Sequence, residues 1–302
     1  MIGRFAPSPT GPLHIGSLLT AVASYLQVKS QGGTWLVRIE DIDRPRQMPG
    51  ADQLILDTLY SHGLHWDGEV VYQSQRHAYY QQALQSLQQQ NLLYACRCSR
   101  KEISDSVNAQ QGLEGVIYPG TCREQHLSFE QYAIRVRVNL QTINYCDLIQ
   151  GHQTQSLAQV IGDFVLRRAD GIFAYQLAVV VDDAMQGVTH VLRGCDLLDS
   201  TPRQIYLQQC LGLPRPEYAH IPIICNRAGE KLSKQTLAPA LQSQDALENV
   251  FLALQYLGQQ PPQSLLQGSL TTLWQWAFEH WDMRQVPHLR KLAWQQEASD
   301  SA

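Results

Sequence analysis

Two short stretches of this chain carry residue types suited to phosphate chemistry. The first is Pro7-Ser8-Pro9-Thr10-Gly11-Pro12-Leu13-His14-Ile15-Gly16-Ser17, a turn dense in Pro and Gly between a strand-like run and a helix-like one. A helix N-terminus at that place offers unpaired N–H groups and a partial positive charge, both suited to a phosphate. His14 can donate a hydrogen bond to a phosphoryl oxygen as charge develops on it. Gly16 lets a planar base or a ribose approach the backbone closely. The second stretch is Lys231-Leu232-Ser233-Lys234, after the strand-like Ile221-Pro222-Ile223-Ile224 and Gly229. Lys231 and Lys234 beside a glycine turn can hold a polyphosphate as mobile point charges. A third group is Cys96-Arg97-Cys98 followed by Cys122. Three thiolates in one small polar segment suggest Zn²⁺, which takes four ligands. Tyr118, four before Cys122, and His126, four after it, are the candidates for the fourth, histidine being the commoner zinc ligand in general. Cys146, Cys195, Cys210 and Cys225 are isolated and read as core or incidental.

These residues need elements to position them. Ile2 to Ala6 is a short strand candidate. Leu18, Leu19, Val22, Ala23 and Leu26 predict a helix over 15–29. Thr34 to Glu40 predicts a buried strand, and 52–60 a helix. Strand, helix, strand begins a parallel α/β sheet. Residues 94–154 differ. They hold Cys96, Cys98 and Cys122 together with the isolated Cys146, a polar loop from Ser104 to Gly115, and the alternating strand Tyr132 to Val138, with Arg135 and Arg137 on one face. That pattern predicts a small inserted domain between a first α/β half, 1–93, and a second, 155–215. In the second half Val188 to Leu192 is a strand candidate. Val179-Val180-Val181 fits a strand by propensity and a helix by context. Ser200-Thr201-Pro202 predicts a helix start, with Gly212 just past its end. The final segment, 216–302, reads as helical beyond Lys234, with Leu247, Val250, Phe251, Leu254 and Leu257 on one face and Leu273 to Trp281 as a further segment.

Composition limits the function classes. At 302 residues the prior is about two domains of ~150 residues. With 44% hydrophobic and 17% charged residues the chain is neither collagen-like nor disordered. No apolar stretch reaches the ~18 residues of a membrane span, so no membrane partner is expected. The N-terminus enters Ile2-Gly3-Arg4-Phe5 without a charged-then-apolar signal, and seven cysteines are sparse and odd in number. A cytoplasmic monomer is expected. The net charge of −4 excludes the strongly basic footprint of a dedicated nucleic-acid binder, so any such contact must be a local patch.

In this order and separation, the two phosphate motifs resemble the HIGH and KMSKS signatures of class I aminoacyl-tRNA synthetases. The stretch Arg4 to Gly11 narrows the resemblance to the glutamyl branch. Arg38-Ile39-Glu40-Asp41-Ile42-Asp43-Arg44, Val181-Asp182-Asp183, Val191-Leu192-Arg193-Gly194 and Thr201-Pro202-Arg203-Gln204 look like that branch too. Ser17 stands where the signature has its second histidine, Leu232 replaces the methionine and Gln235 the final serine; His14 and Lys234 remain. The resemblance implies a Rossmann-like parallel sheet of the class I synthetase type, with a zinc-containing, acceptor-binding insertion and a helical stem-contact region toward the C-terminus. It also implies ATP, bound with Mg²⁺, as a substrate. His14 and Lys234 would be catalytic, at the α-phosphate and the departing phosphates. Gly16, Lys231 and Asp196, the last on the ribose hydroxyls, would complete the ATP site. For L-glutamate it implies Arg4 and Arg193 on the carboxylates, Glu40 on the ammonium, hydroxyls from Ser8 and Tyr175, and backbone contacts at Ala6.

Within the branch, Cys-x-Cys followed by Tyr-x-x-x-Cys resembles one subgroup, the glutamyl-queuosine tRNA(Asp) synthetases. There a tyrosine completes the zinc site, which implies Cys96, Cys98, Tyr118 and Cys122 as the ligands. Beyond Lys234 three basic side chains face six acidic ones. That stretch is too short for an anticodon-binding domain and has the wrong sign for one. The subgroup implies transfer of glutamate to queuosine in the anticodon loop of tRNA(Asp), with Arg135 and Arg137, and Arg97, Arg100 and Lys101 nearby, as expected phosphate contacts. The other readings are a minimal glutamyl-tRNA synthetase acting at the tRNA 3′ end and a non-enzymatic glutamate or tRNA sensor.

Overall fold

The computed structural model describes residues 1–107, 110–113, 115–226, 228–232 and 239–294. In chain order the first half contains β1 (Ile2–Phe5), α1 (Ile15–Lys29), β2 (Thr34–Ile39), α2 (Ala51–Ser61), β3 (Val71–Tyr72) and α3 (His77–Gln89). Helix α1 forms where its apolar spacing predicts, burying Leu18, Leu19, Val22, Ala23 and Leu26. Strand β2 turns Trp35, Val37 and Ile39, all fully buried, to one face, while the other face carries Thr34, Leu36 and the buried Arg38, because the strand lies inside the sheet. Gly3 is required in β1: a Cβ there would sit 2.5 Å from the Val28 side chain of α1.

The middle of the chain adds β4 (Leu93–Cys96), α4 (Arg100–Ser104), β5 (Gln110–Gly112), β6 (Gly115–Ile117), β7 (Ala133–Val136), β8 (Thr142–Asp147), β9 (Gly151–Ser156), α5 (Leu157–Val160) and β10 (Val165–Arg167). Then come α6 (Tyr175–Met185), β11 (His190–Gly194), α7 (Thr201–Leu211), β12 (Glu217–Ile221), β13 (Ile223–Cys225), α8 (Ala246–Tyr256), α9 (Leu270–His280) and β14 (Lys291–Ala293). The main sheet has the order β3-β2-β1-β11-β12-β8-β9. Its pairings are parallel except for the β8–β9 hairpin. Chain order reverses between β1 and β11. Such a switch point opens a crevice at the carboxyl ends of the two strands, where open α/β sheets bind ligands.

Both faces of the sheet are covered. One apolar cluster joins α1, β1 and β2 to α8 and α9, and the other joins α3, α6 and α7 to the insert. The valine run 179–181 is helical, inside α6. Leu177 to Asp183 is buried without a break, so no polar stripe marks the helical period. The expected strand at Val188 starts two residues later, at His190. Helix α7 ends at Gly212 in the left-handed region (φ 65°) as the sequence predicts, but the Ser200 side chain does not cap its start. The expected division at residue 154 does not coincide with the strand pairing. β8 and β9 extend the main sheet, whereas β10 pairs with β7 in a second, antiparallel sheet of order β10-β7-β4. Among the described residues no helix is long and apolar enough to cross a membrane.

Candidate active site

A cleft of about 800 Å³ lies at the switch point. Its lining includes Arg4, Ala6, Ser8, His14, Gly16, Glu40, Tyr175, Arg193, Asp196 and Lys231. Ser233 and Lys234 lie outside the described residues. His14 is the N-cap of α1: its Nδ1 accepts the backbone N–H of Gly16 at 3.1 Å, and its Nε2 lies 3.1 Å from the Ser17 hydroxyl. An acceptor Nδ1 places the ring proton on Nε2, which makes the His14 ring a donor at the helix N-terminus. Across the cleft Lys231 Nζ meets Asp196 Oδ2 at 2.6 Å, both side chains partly exposed. The Lys231 charge is thus neutralised by the carboxylate expected on a ribose.

The other end of the cleft is a buried charge network. Arg4 makes a two-pronged pair with Asp183, at 3.1 and 3.3 Å. Arg38, fully buried, reaches Asp183 at 2.7 Å and Glu40 at 3.3 Å. Asp182 takes Arg76 at 2.5 Å together with Gln73 and Tyr80. Three guanidiniums therefore face three carboxylates. Burial raises the Glu40 carboxyl above its ordinary value, against the pull of Arg38 and Arg4. Burial would also raise Asp183, but the guanidiniums of Arg4 and Arg38 outweigh it and hold its carboxyl below the ordinary range. Burial raises the Tyr175 phenol, so it stays a neutral hydroxyl.

Arg193, at the carboxyl end of β11, is held on three sides. Its Nε donates to His220 Nε2 at 3.0 Å, its Nη1 to the Tyr175 hydroxyl at 3.3 Å, and its Nη2 to Thr201 Oγ1 at 2.9 Å. His220 in turn bonds Asp147 through Nδ1, at 2.6 Å, with both residues fully out of solvent. Burial pushes the His220 ring down to about 4 despite that carboxylate. Sequence reasoning gave no role to Asp147 or His220. The available signal was a histidine inside the otherwise apolar strand Tyr218-Ala219-His220-Ile221. Arg38, Asp183 and Thr201 stood only inside quoted motifs.

The cysteine cluster forms in the insert. The sulfurs of Cys96, Cys98 and Cys122 lie within 4.8 Å of one another. The Tyr118 hydroxyl is 3.7 Å from Cys98 Sγ and accepts the Cys122 N–H at 2.7 Å. Three sulfurs and a phenol oxygen match the four-ligand demand of Zn²⁺. His126 is exposed and is not a member of the cluster. Arg135 and Arg137 do not form the open basic face expected of them. Arg135 lies over the Tyr118 ring, 4.0 Å from its centroid, and donates to the Asp163 carbonyl. Arg137 packs over Tyr94 and pairs with Glu124 at 2.6 Å. Both brace the cluster, whereas Arg97, Arg100 and Lys101 are exposed beside it.

The profile of the catalytic domain of class I tRNA synthetases (E and Q) matches residues 1–257. The glutamyl-Q tRNA(Asp) synthetase of Dechloromonas aromatica is 55% identical over 286 residues, 94% of this chain and 95% of that one. The protein of the same name from Chromobacterium violaceum is 54% identical over equal shares. Among solved structures, a glutamate tRNA ligase from Elizabethkingia meningosepticum, in complex with its amino acid, superposes with a TM-score of 0.78 at 25% identity. The match covers 96% of this chain but only 66% of that ligase. Sheet order, cleft and relatives agree, and the chain belongs to the class I tRNA synthetases of the glutamyl and glutaminyl type.

Proposed function

We propose that the protein activates L-glutamate with ATP and transfers it to the cyclopentenediol of queuosine in the anticodon loop of tRNA(Asp). The observation that carries this reading is the likeness, over nearly the whole chain, to glutamyl-Q tRNA(Asp) synthetases. The cleft supplies a chemistry to match. Arg4 and Arg193 take the two carboxylates of glutamate, Glu40 its ammonium, and Ser8, Tyr175 and the Ala6 backbone complete the pocket. A carboxylate oxygen of the substrate attacks the α-phosphorus of ATP, and pyrophosphate leaves. The protein's task is to position and neutralise. His14 Nε2–H stabilises the charge on the α-phosphate, Lys234 and Lys231 that on the leaving phosphates, and Asp196 and Gly16 hold the nucleoside. Mg²⁺ arrives with ATP and neutralises phosphate charge.

In the second step a hydroxyl of the queuosine diol attacks the acyl carbon of the glutamyl-adenylate. AMP leaves and an ester remains. That diol resembles the ribose diol which synthetases esterify, so no new catalytic residue is required. Cys96, Cys98, Tyr118 and Cys122 would hold Zn²⁺, which when bound would order the insert offered to the RNA. The solved relative described above is a glutamate tRNA ligase, which makes the tRNA 3′ end the competing acceptor. Radiolabelled glutamate offered to tRNA(Asp) separates the two. Label should enter tRNA carrying queuosine, in its anticodon loop, and not the same tRNA carrying guanosine there. If trimming the 3′ adenosine abolishes uptake while queuosine is intact, the protein is an acceptor-end synthetase and this reading fails.

A further inference from the structure

Arg4 and Arg193 are given the same task, but the protein holds them differently. Arg4 is gripped by a carboxylate, Asp183, which occupies its Nε and Nη2. Among the described residues Arg193 makes no ion pair with a carboxylate; Asp147 lies behind a neutral imidazole, that of His220. Asp147 Oδ1 accepts three backbone N–H groups, those of Ile149 (3.1 Å), Gln150 (2.8 Å) and His220 (3.1 Å). Its Oδ2 accepts His220 Nδ1–H at 2.6 Å. With the proton fixed on Nδ1, Nε2 is an acceptor, and it takes the Nε–H of Arg193 at 3.0 Å.

We propose that Asp147 and His220 form a positioning dyad that fixes the Arg193 guanidinium for a substrate carboxylate without neutralising it. This inference rests on the reading of Arg193 as a glutamate ligand. A carboxylate in place of His220 would orient the guanidinium and also compete with the substrate for it. An imidazole locked in one tautomer orients it through Nε alone. The Tyr175 and Thr201 hydroxyls hold the other two nitrogens, so the planar fork is set before glutamate arrives, and less ordering remains to be done on binding. The three anchors come from β12, α6 and α7, which are fixed by the two cores on either face of the sheet.

The tautomer makes the proposal testable by one atom. In Asp147→Asn the three backbone N–H groups keep the amide oxygen at the Oδ1 position, so the NH₂ must face His220. The ring then accepts at Nδ1 and carries its proton on Nε2, donor against the Arg193 donor. In glutamate-dependent ATP–pyrophosphate exchange, D147N should raise the glutamate KM about tenfold or more, the scale of one hydrogen bond to a charged group. The ATP KM and kcat should stay within about threefold, the pattern of lost ground-state binding. His220→Gln offers an oxygen where Nε2 was, and should recover most of the glutamate affinity lost in His220→Leu. If D147N fails to fold, this second pair decides. A folded D147N with the wild-type glutamate KM, or equal losses in H220Q and H220L, overturns the dyad. Arg193→Ala separates the two levels. A weakened glutamate KM there beside an unchanged D147N overturns the dyad alone, whereas an unchanged KM in R193A overturns the reading of Arg193 and the dyad with it.

Discussion

At the level of single residues, the role proposed for His14 would make a helix cap and a catalytic group one side chain. Capping α1 through Nδ1 consumes the acceptor nitrogen, which leaves Nε2–H, beside the Ser17 hydroxyl, as the donor that the proposal aims at the phosphate. His14→Ala should therefore lower pyrophosphate exchange by ~10²–10³-fold, the loss of one transition-state donor. Lys234→Ala should do the same. Neither should change glutamate affinity much; normal exchange in the Lys234 variant would remove that lysine from the chemistry. Buried His220 carries a prediction of a different kind. Unfolded, it titrates near 6.5, but in the fold only near 4. Between those values the unfolded chain binds a proton that the fold excludes. Stability is then complete above about pH 6.5 and falls by about 3 kcal/mol as the pH drops to about 4. Denaturant midpoints measured between pH 7 and 4 should show this loss, and H220Q should show less of it. His14 was legible because its neighbours punctuate a turn. His220 was not, since one polar residue in an apolar strand tells nothing of the partner, Asp147, far from it in sequence.

Whole elements repeat the contrast. Helix α1 and strand β2 could be read from spacing and β-branching, because each turns one known kind of face to the core. The hairpin β8–β9 could not be assigned to the main sheet. Its burial alternates strictly along β8, the pattern of any half-exposed strand, and pairing of β8 with β12 depends on residues about 70 positions away. Arg135 and Arg137 looked like a solvent stripe for the same reason; the tyrosines they cover come from other elements. The cysteine cluster gives the sharpest test at this scale. Purified protein should contain one Zn²⁺ per chain. Cys98→Ser should lose it and expose 94–125 to hydrogen exchange while the parallel sheet keeps its protection, because a metal on this cluster would organise the insert and not the sheet. Tyr118→Phe should weaken metal retention and His126→Ala should not. Metal loss confined to the His126 variant would replace Tyr118 as the fourth ligand.

Over the whole molecule, surface charge and chain order matter most. The chain is net negative, so RNA contact is expected at local patches, of which the exposed Arg97, Arg100 and Lys101 are the proposed one. Transfer to tRNA should fall steeply with added salt while pyrophosphate exchange changes little; equal salt sensitivity of both steps would argue against that patch. The root of the lysine loop is built from distant segments. Strand β13 pairs in parallel with β14, Ile224 opposite Leu292, and Cys225 also bridges to Lys231. Trp294 N–H donates to the Cys225 carbonyl at 2.7 Å and its ring stacks on Tyr256. Leu292→Pro, which breaks that ladder, should slow exchange about tenfold, the scale of one lost backbone hydrogen bond, and leave glutamate binding intact. The same pairing sets a schedule for synthesis on the ribosome. The proposed amino-acid pocket takes its residues from positions up to Arg193 and its bracing from His220, but the core behind β1 and α1 also takes side chains of α8 and α9 and Val286. A nascent chain would therefore complete the core behind the pocket and the root of the lysine loop at nearly the same moment, so that holding glutamate and consuming ATP would begin together.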